Sequence, residues 1–283
     1  SAHTFFISRM PADVSGRSGR NKDGYLGQTI QVDRELSRLK NQSTHLGWMT
    51  ESLPTWHDDS LMFMHRSAVS PAAPSILITA GIHGDEPATT ISLCQLILED
   101  ALPRNITYAV FPCLNPRGMR ISRRETPEGV DLNRDFLEAE TKEVRTELKK
   151  LREFESFEVA ILLHEDWEAK GFYLYELTQP NRPPRFGRSV LDAVSKVCPI
   201  EKNALIEGHE ADRGLIHPAY HQEQRQDWPE AFYMMHNKTD HSLTLEAPSD
   251  FEMQVRMKAL MSAVLTTADL VNGKKKSIIG TDL

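Results

Sequence analysis

Two histidines and two glutamates sit where apolar stretches of this chain give out, and those residue types suit metal-assisted acid–base chemistry. His83 and Glu86 stand three apart in Gly81-Ile82-His83-Gly84-Asp85-Glu86, directly after the isoleucine-rich run Ile76 to Ala80. His164 follows the run Phe157 to Leu163, and Glu246 follows Ser242 to Leu245. Imidazole nitrogen and carboxylate oxygen both suit Zn²⁺, and two histidines with one carboxylate leave a fourth tetrahedral position for water, the pattern of a catalytic site. A further carboxylate nearby can take a proton from that water. His-x-x-Glu alone is a weak signal, because such spacings are mostly surface turns with an ordinary histidine. The convergence of several segments is the stronger one.

Those segments need a frame that brings their ends together. The apolar runs are short and read as strands buried on both faces, and in open α/β sheets the crevice at the carboxyl ends of the strands is where ligands bind. Ile106 to Leu114 is a further such strand, delivering the turn Asn115-Pro116-Arg117-Gly118. Ile91, Cys94, Leu98 and Leu102 predict a helix over 87–101, with Pro87 in its first turn. Val144, Leu148 and Leu151 predict another over 138–154, acidic early and basic late. A third is expected near 187–197. A final helix carries Met257, Leu260, Met261, Val264 and Ala268 behind a Ser249-x-x-Glu252 capping box. Ahead of the first central strand lie an irregular lead-in over 1–30, a helix around 31–40, and strand-like pieces at 47–53 and 61–65 that form a hairpin at the sheet's edge. The stretch 201–240 has little period and reads as functional surface.

Composition narrows the alternatives. At 283 residues the chain is long enough for one sizeable domain. The reading is a lead-in over 1–45 packed on the domain, a single catalytic domain over 46–275 and a tail over 276–283. No run of eighteen apolar residues argues for a membrane span. A net charge of −7, with no basic block beyond Lys274-Lys275-Lys276, speaks against a nucleic-acid surface. Cys94, Cys113 and Cys198 lack Cys-x-x-Cys spacing and read as reduced core residues. No signal peptide is visible at the N-terminus, so the default expectation is a cytoplasmic protein.

In order and spacing, GIHGDE at 81–86, NPRG at 115–118, GVDLNRDF at 129–136, the apolar strand into His164 and TLE at 244–246 resemble the zinc metallocarboxypeptidases of the carboxypeptidase A type, peptidase family M14. The resemblance implies a three-layer α/β/α fold with a mixed, mostly parallel central sheet and one Zn²⁺ per chain held by His83, Glu86 and His164. Asp131 matches an aspartate hydrogen-bonded to the first zinc histidine, which orients that ligand. Asn133 and Arg134 match the pair that grips the substrate's terminal carboxylate, a task suited to a guanidinium fork. Glu246 matches the general base that deprotonates water and then protonates the leaving amine. Arg124, with Arg123 as runner-up, matches the arginine that stabilises the oxyanion.

The departures from the digestive members matter too. Their lid tyrosine has two candidates here, Tyr220 and Tyr233. Asp227, Glu230 and Asp240 are acids that could select a basic terminal side chain. Glu165-Asp166 after His164 replaces a small polar residue, and with His209, His217 or His221 a second metal is conceivable. The implied reaction is hydrolysis of a C-terminal peptide bond. The alternative is a zinc-dependent amidase or deacylase acting on a murein peptide or small N-acyl amino acid, resembling the murein peptide amidases and the succinylglutamate desuccinylase/aspartoacylase branch.

Overall fold

The computed structural model describes residue 21 and residues 24–56, 59–218 and 227–278. Seven α-helices are found among them: α1 Val32–Ser43, α2 Pro87–Leu98, α3 Pro116–Arg120, α4 Lys142–Leu151, α5 Gly187–Val194, α6 Glu230–Asn237 and α7 Met253–Ile278. The strands are β1 Met49–Pro54, β2 Ser60–Arg66, β3 Ser75–Thr79, β4 Thr107–Phe111, β5 Val159–Asp166, β6 Tyr173–Thr178, β7 Leu205–Ile206, β8 His209–Glu210, β9 Leu215–Ile216 and β10 His241–Pro248. Eight of them form one sheet in the order β1-β2-β4-β3-β5-β10-β6-β9, and β7 pairs with β8 apart from it. The central run β4-β3-β5-β10 is parallel, while β2 and β6 flank it antiparallel.

Alternation along the central strands builds the layers. Ile76, Ile78, Ile161, Leu163, Leu243 and Leu245 face one side and pack with apolar residues of α2, α5 and α7. Leu77, Ala160 and Leu162 face the other and pack on Val144, Leu148 and Leu151 of α4 and on Ala231 and Met234 of α6. Both faces are covered, which is why these strands read as unbroken apolar runs. The β1–β2 hairpin lies at the edge, as its turn sequence predicts.

Several expectations need correction. β5 runs through His164 to Asp166, and β10 runs through Glu246 to Pro248, so the reactive positions lie inside the last turns of the strands and not after them. The extension is sustained by pairing of Glu246 with His164 and of Pro248 with Asp166. The stretch 201–240 holds three short strands and α6, a helix whose eight residues are too few for a clear period. β6 was also not anticipated. The residues Ser249 to Glu252 precede α7, which begins at Met253, and the backbone carbonyl of Glu252 accepts from Val255 and Arg256. α7 extends to Ile278, past the expected tail boundary. The three cysteines are free and buried. No helix among the described residues is long and apolar enough to cross a membrane.

One buried acid pins the far end of the sheet. Glu176 on β6 is 2% exposed and accepts from the backbone N–H groups of Arg185, Phe186 and Gly187 at the start of α5, while facing His241 Nε2 at 2.7 Å. Burial alone would raise its pKa, but His241 and these amide donors outweigh burial and hold it near about 2. Because the folded value lies below the unfolded one, the stability this provides is present above the unfolded pKa and is lost as pH falls toward about 2. Glu176→Gln is expected to cost about 1.5 to 3 kcal/mol at pH 7, the worth of hydrogen bonds to a charged group. In urea unfolding followed from pH 7 down to pH 2.5, its deficit against the parent protein should narrow; a deficit constant with pH would refute the assignment.

Candidate active site

The turn after β3 is built by contacts only glycine permits. Gly81 has φ +63°, and the Asn115 backbone N–H donates to its carbonyl at 2.7 Å, joining the ends of β3 and β4. At Gly84 a Cβ would lie 2.1 Å from the Gly118 carbonyl carbon, so this turn presses directly on α3. Asn115 caps α3 by accepting from Gly118 N–H at 2.8 Å, and its amide donates to the Arg124 carbonyl at 3.2 Å. The loop carrying Arg124 is therefore anchored to the loop carrying His83.

Three side chains from these elements converge. His83 Nδ1 lies 2.6 Å from Glu86 Oε1, His164 Nδ1 lies 3.2 Å from Glu86 Oε2, and the two imidazole centroids are 5.1 Å apart. All three residues are buried. Burial would raise the Glu86 carboxyl, but the two imidazoles outweigh it and hold the group well below the ordinary carboxylate range.

A metal implied by this donor set fits. The ligand atoms of His83, Glu86 and His164 all lie within 4.8 Å of one another, and Glu86 Oε2 is buried without a hydrogen bond despite its closeness to His164. Nitrogen, nitrogen and carboxylate oxygen on a buried, converging set match zinc's preferences.

Around this group, Asp131 Oδ1 faces His83 Nε2 at 3.2 Å and also accepts the Asn133 N–H at 2.9 Å. Arg124 donates from Nε to Asp131 Oδ2 at 3.0 Å and sends Nη1 to 3.9 Å from Glu86. Arg123 instead lies 3.8 Å from Glu125. Glu246 is in register with His164 on the neighbouring strand, so both side chains leave the same face of the sheet. Burial pushes its carboxyl well above the usual range, helped by Glu86 and opposed by His164 and Arg124. Asn133 accepts the Glu230 N–H at 2.9 Å, and Arg134 pairs with Asp227 at 3.2 Å.

The remaining candidates are placed differently. Tyr233 lies on α6, where its ring packs 6.0 Å from Phe136; it is part of a helix and not of a mobile loop. Tyr220 and His221 lie outside the described residues. Asp240 is an exposed partner of Arg182. Asp166 accepts from the Tyr173 hydroxyl at 3.0 Å, His209 is exposed, and His217 faces the Glu176 carbonyl.

Glu165 is engaged in a way no local sequence pattern announces. Its carboxylate accepts the Ala88 N–H in the first turn of α2 and the Arg256 guanidinium of α7, both at 2.6 Å, and Arg256 reaches on to the Tyr25 hydroxyl at 3.2 Å. The available signal was Arg256 itself, a charge beside the apolar stripe of α7. Such a residue is buried only when paired.

Similarity to known proteins agrees with this geometry. The succinylglutamate desuccinylase/aspartoacylase catalytic domain matches residues 72–171, which hold all three converging ligands but not Glu246. Murein peptide amidase A of Escherichia coli K12 is 40% identical over 79 residues, 27% of this chain and 32% of that protein, so the matched part spans about a third of the relative's length. A candidate metallopeptidase from Shewanella amazonensis SB2B superposes with TM-score 0.74 at 21% identity, over 86% of this chain and 99% of that one. A metallo-carboxypeptidase from Pseudomonas aeruginosa does so with TM-score 0.65 at 16% identity, over 86% and 70%. The zinc-carboxypeptidase fold is thus shared along most of the chain, and the desuccinylase/aspartoacylase likeness covers β3 and β5, the strands whose ends bring His83, Glu86 and His164 together.

Proposed function

We propose that the protein is a zinc-dependent hydrolase that releases the C-terminal residue of a peptide, with Glu246 as general base and acid. The observation that carries this reading is the register of Glu246 with His164 across β10 and β5, beside the converging His83, Glu86 and His164. When bound, the metal supplies Lewis acidity, polarising the scissile carbonyl and acidifying water at the site.

The chain's own residues do the rest. Glu246 takes a proton from the attacking water as its oxygen bonds the carbonyl carbon, then delivers that proton to the amine nitrogen as the carbon–nitrogen bond breaks. A carboxylate buried beside His164 can take a proton and give it up again, as this exchange requires. Arg124, held by Asp131, faces the ligand Glu86 and stabilises negative charge developing on the carbonyl oxygen. Asp131 fixes the ring orientation of His83. Asn133 and Arg134 hold the substrate's terminal carboxylate, which must displace Asp227 from Arg134.

That last contact also supports a second reading. An arginine already paired within the chain leaves room for a substrate without a free terminal carboxylate in that place, as in amidase or deacylase action on a murein peptide or small N-acyl amino acid. The likeness to murein peptide amidase A points the same way.

Glu246→Gln should lower kcat by about 10²- to 10⁴-fold while zinc content stays at the parent level, measured by elemental analysis alongside turnover. Unchanged turnover would remove Glu246 from the chemistry. Asp131→Ala is expected to weaken zinc binding about 10- to 100-fold in chelator competition, with an unaltered circular dichroism spectrum. Chelator-sensitive release of single C-terminal residues from a peptide library would support the carboxypeptidase reading; cleavage confined to murein peptides or N-acyl amino acids would favour the second.

A further inference from the structure

Glu246 hangs from β10 on a long side chain, and the register that sets its backbone beside His164 does not by itself place its carboxylate. A group that exchanges protons with a substrate must be held to within roughly 0.5 Å of its working position. What borders Glu246 on the side away from His164 comes from β6. In the sheet order β5-β10-β6, Glu246 pairs with His164 on one neighbour and with Tyr173 on the other, and Tyr175 stands opposite Thr244. Residues directly opposite across a ladder project from the same face, and every second residue of a strand returns to it. His164, Asp166, Glu246, Tyr173 and Tyr175 therefore share one face of the sheet.

Tyr173 reaches across that face. Its hydroxyl donates at 3.0 Å to Asp166 Oδ2 on β5, so the phenol passes over β10 to a partner two strands away. Asp166 stands opposite Pro248, so the crossing starts beside Glu246 and runs toward the carboxyl end of β10. The Tyr175 ring meets the Tyr173 ring edge-on, with centroids 5.8 Å apart. Burial raises the pKa of both phenols, and the charge of Glu246 raises each of them more than that of Asp166 does. Asp166 is fixed in turn by accepting the Glu168 N–H at 2.8 Å. Tyr173 is buried and packs with Ala169, Ile206 and Ile216.

Packing alone would not need the hydroxyl, because a phenylalanine fills the same space. The hydroxyl ties down the far end of the ring and so sets its tilt over β10. A phenol has a single proton to donate, and this one goes to Asp166, which leaves the lone pairs of Glu246 available to water.

We propose that Tyr173, tethered by Asp166, is a positioning residue that holds the Glu246 carboxylate toward His164 and the metal site. The proposal rests on the reading of Glu246 as general base. The ring closes the side of Glu246 that faces β6, Tyr175 backs the ring, and the tether keeps it from swinging away.

The test compares Tyr173→Phe, which keeps the ring and loses the tether, with Tyr173→Leu, which loses both, in the zinc-loaded full chain. The substrate is an N-acylated dipeptide, or a murein peptide or N-acetyl amino acid where the parent protein cleaves only those. Tyr173→Phe should lower kcat about 10-fold and Tyr173→Leu about 100-fold, because a misplacement of about 1 Å can cost that much. KM and zinc content should stay at parent levels. Asp166→Ala should repeat the Tyr173→Phe loss, and Asp166→Asn, whose amide oxygen still accepts the phenol O–H, should recover most of it. In a Glu246→Gln background, either Tyr173 variant should lower the residual turnover no further, since no base remains to be placed. If Glu246→Gln collapses kcat while Tyr173→Phe and Asp166→Ala leave it at the parent level, or if the Tyr173 losses persist undiminished in the Glu246→Gln background, the positioning role is refuted and the general base stands. If Glu246→Gln itself leaves kcat unchanged, or the parent protein cleaves none of the three substrates, the general-base reading fails and the proposal falls with it. Should Tyr173→Leu not fold, Tyr173→Phe and the two Asp166 variants still decide.

Discussion

The structure depends on keeping one carboxylate ionised where water does not reach. Glu86 is 4% exposed, and a lone buried charge of that kind would take up a proton. It stays charged because His83 and His164 arrive from two parallel strands, and that requirement dictates much of the surrounding geometry. β3 and β5 must be neighbours, as they are, and the chain leaving β3 must fold back tightly. Gly81 and Gly84 allow this through a left-handed turn and a direct backbone approach to α3. Asp131 then supplies the second contact to His83 from a loop that Arg124 and Asn115 hold in place.

Around that centre the chain divides into a part that carries His83, Glu86 and His164 and a later part that carries Glu246 beside them. The desuccinylase/aspartoacylase likeness covers 72–171 and therefore both ligand-bearing strands, but it stops before α6 and β10. Glu246, Glu230, Asp227 and Tyr233 all belong to the later part.

That His83, Glu86 and His164 converge was legible in the sequence because they stand beside short apolar runs with no helical period, and because glycine and proline mark the turns that follow. His83, Glu86, His164 and Glu246 could be named on that basis. The extents of β5 and β10 could not, because Glu165 and Asp166 look like loop acids until their distant partners Arg256 and Tyr173 are seen. α6 and β6 were hidden for a different reason. α6 has eight residues, too few for a stable period, and β6 carries Glu176, whose charge is satisfied by the start of α5 and by His241. Polar residues buried by long-range pairing defeat a reading based on hydrophobic pattern. The Glu147–Glu230 contact is another instance, since two acids that pattern alone would place on the surface stand 83 positions apart.

The Glu165 contacts carry a mechanical meaning beyond charge balance. Glu165 follows His164 on β5, and through Ala88 it grips the first turn of the helix that begins after Glu86. Arg256 of α7 holds it from the other side and itself donates to the Tyr25 hydroxyl of the N-terminal segment. Separating β5 from the start of α2 would thus require a fully buried guanidinium to lose its partner and α7 to come away from the sheet. Local opening at such a place is as costly as general unfolding, so the amides of β5 and of the first turn of α2 belong to the slowest-exchanging, last-to-open cooperative unit of the protein.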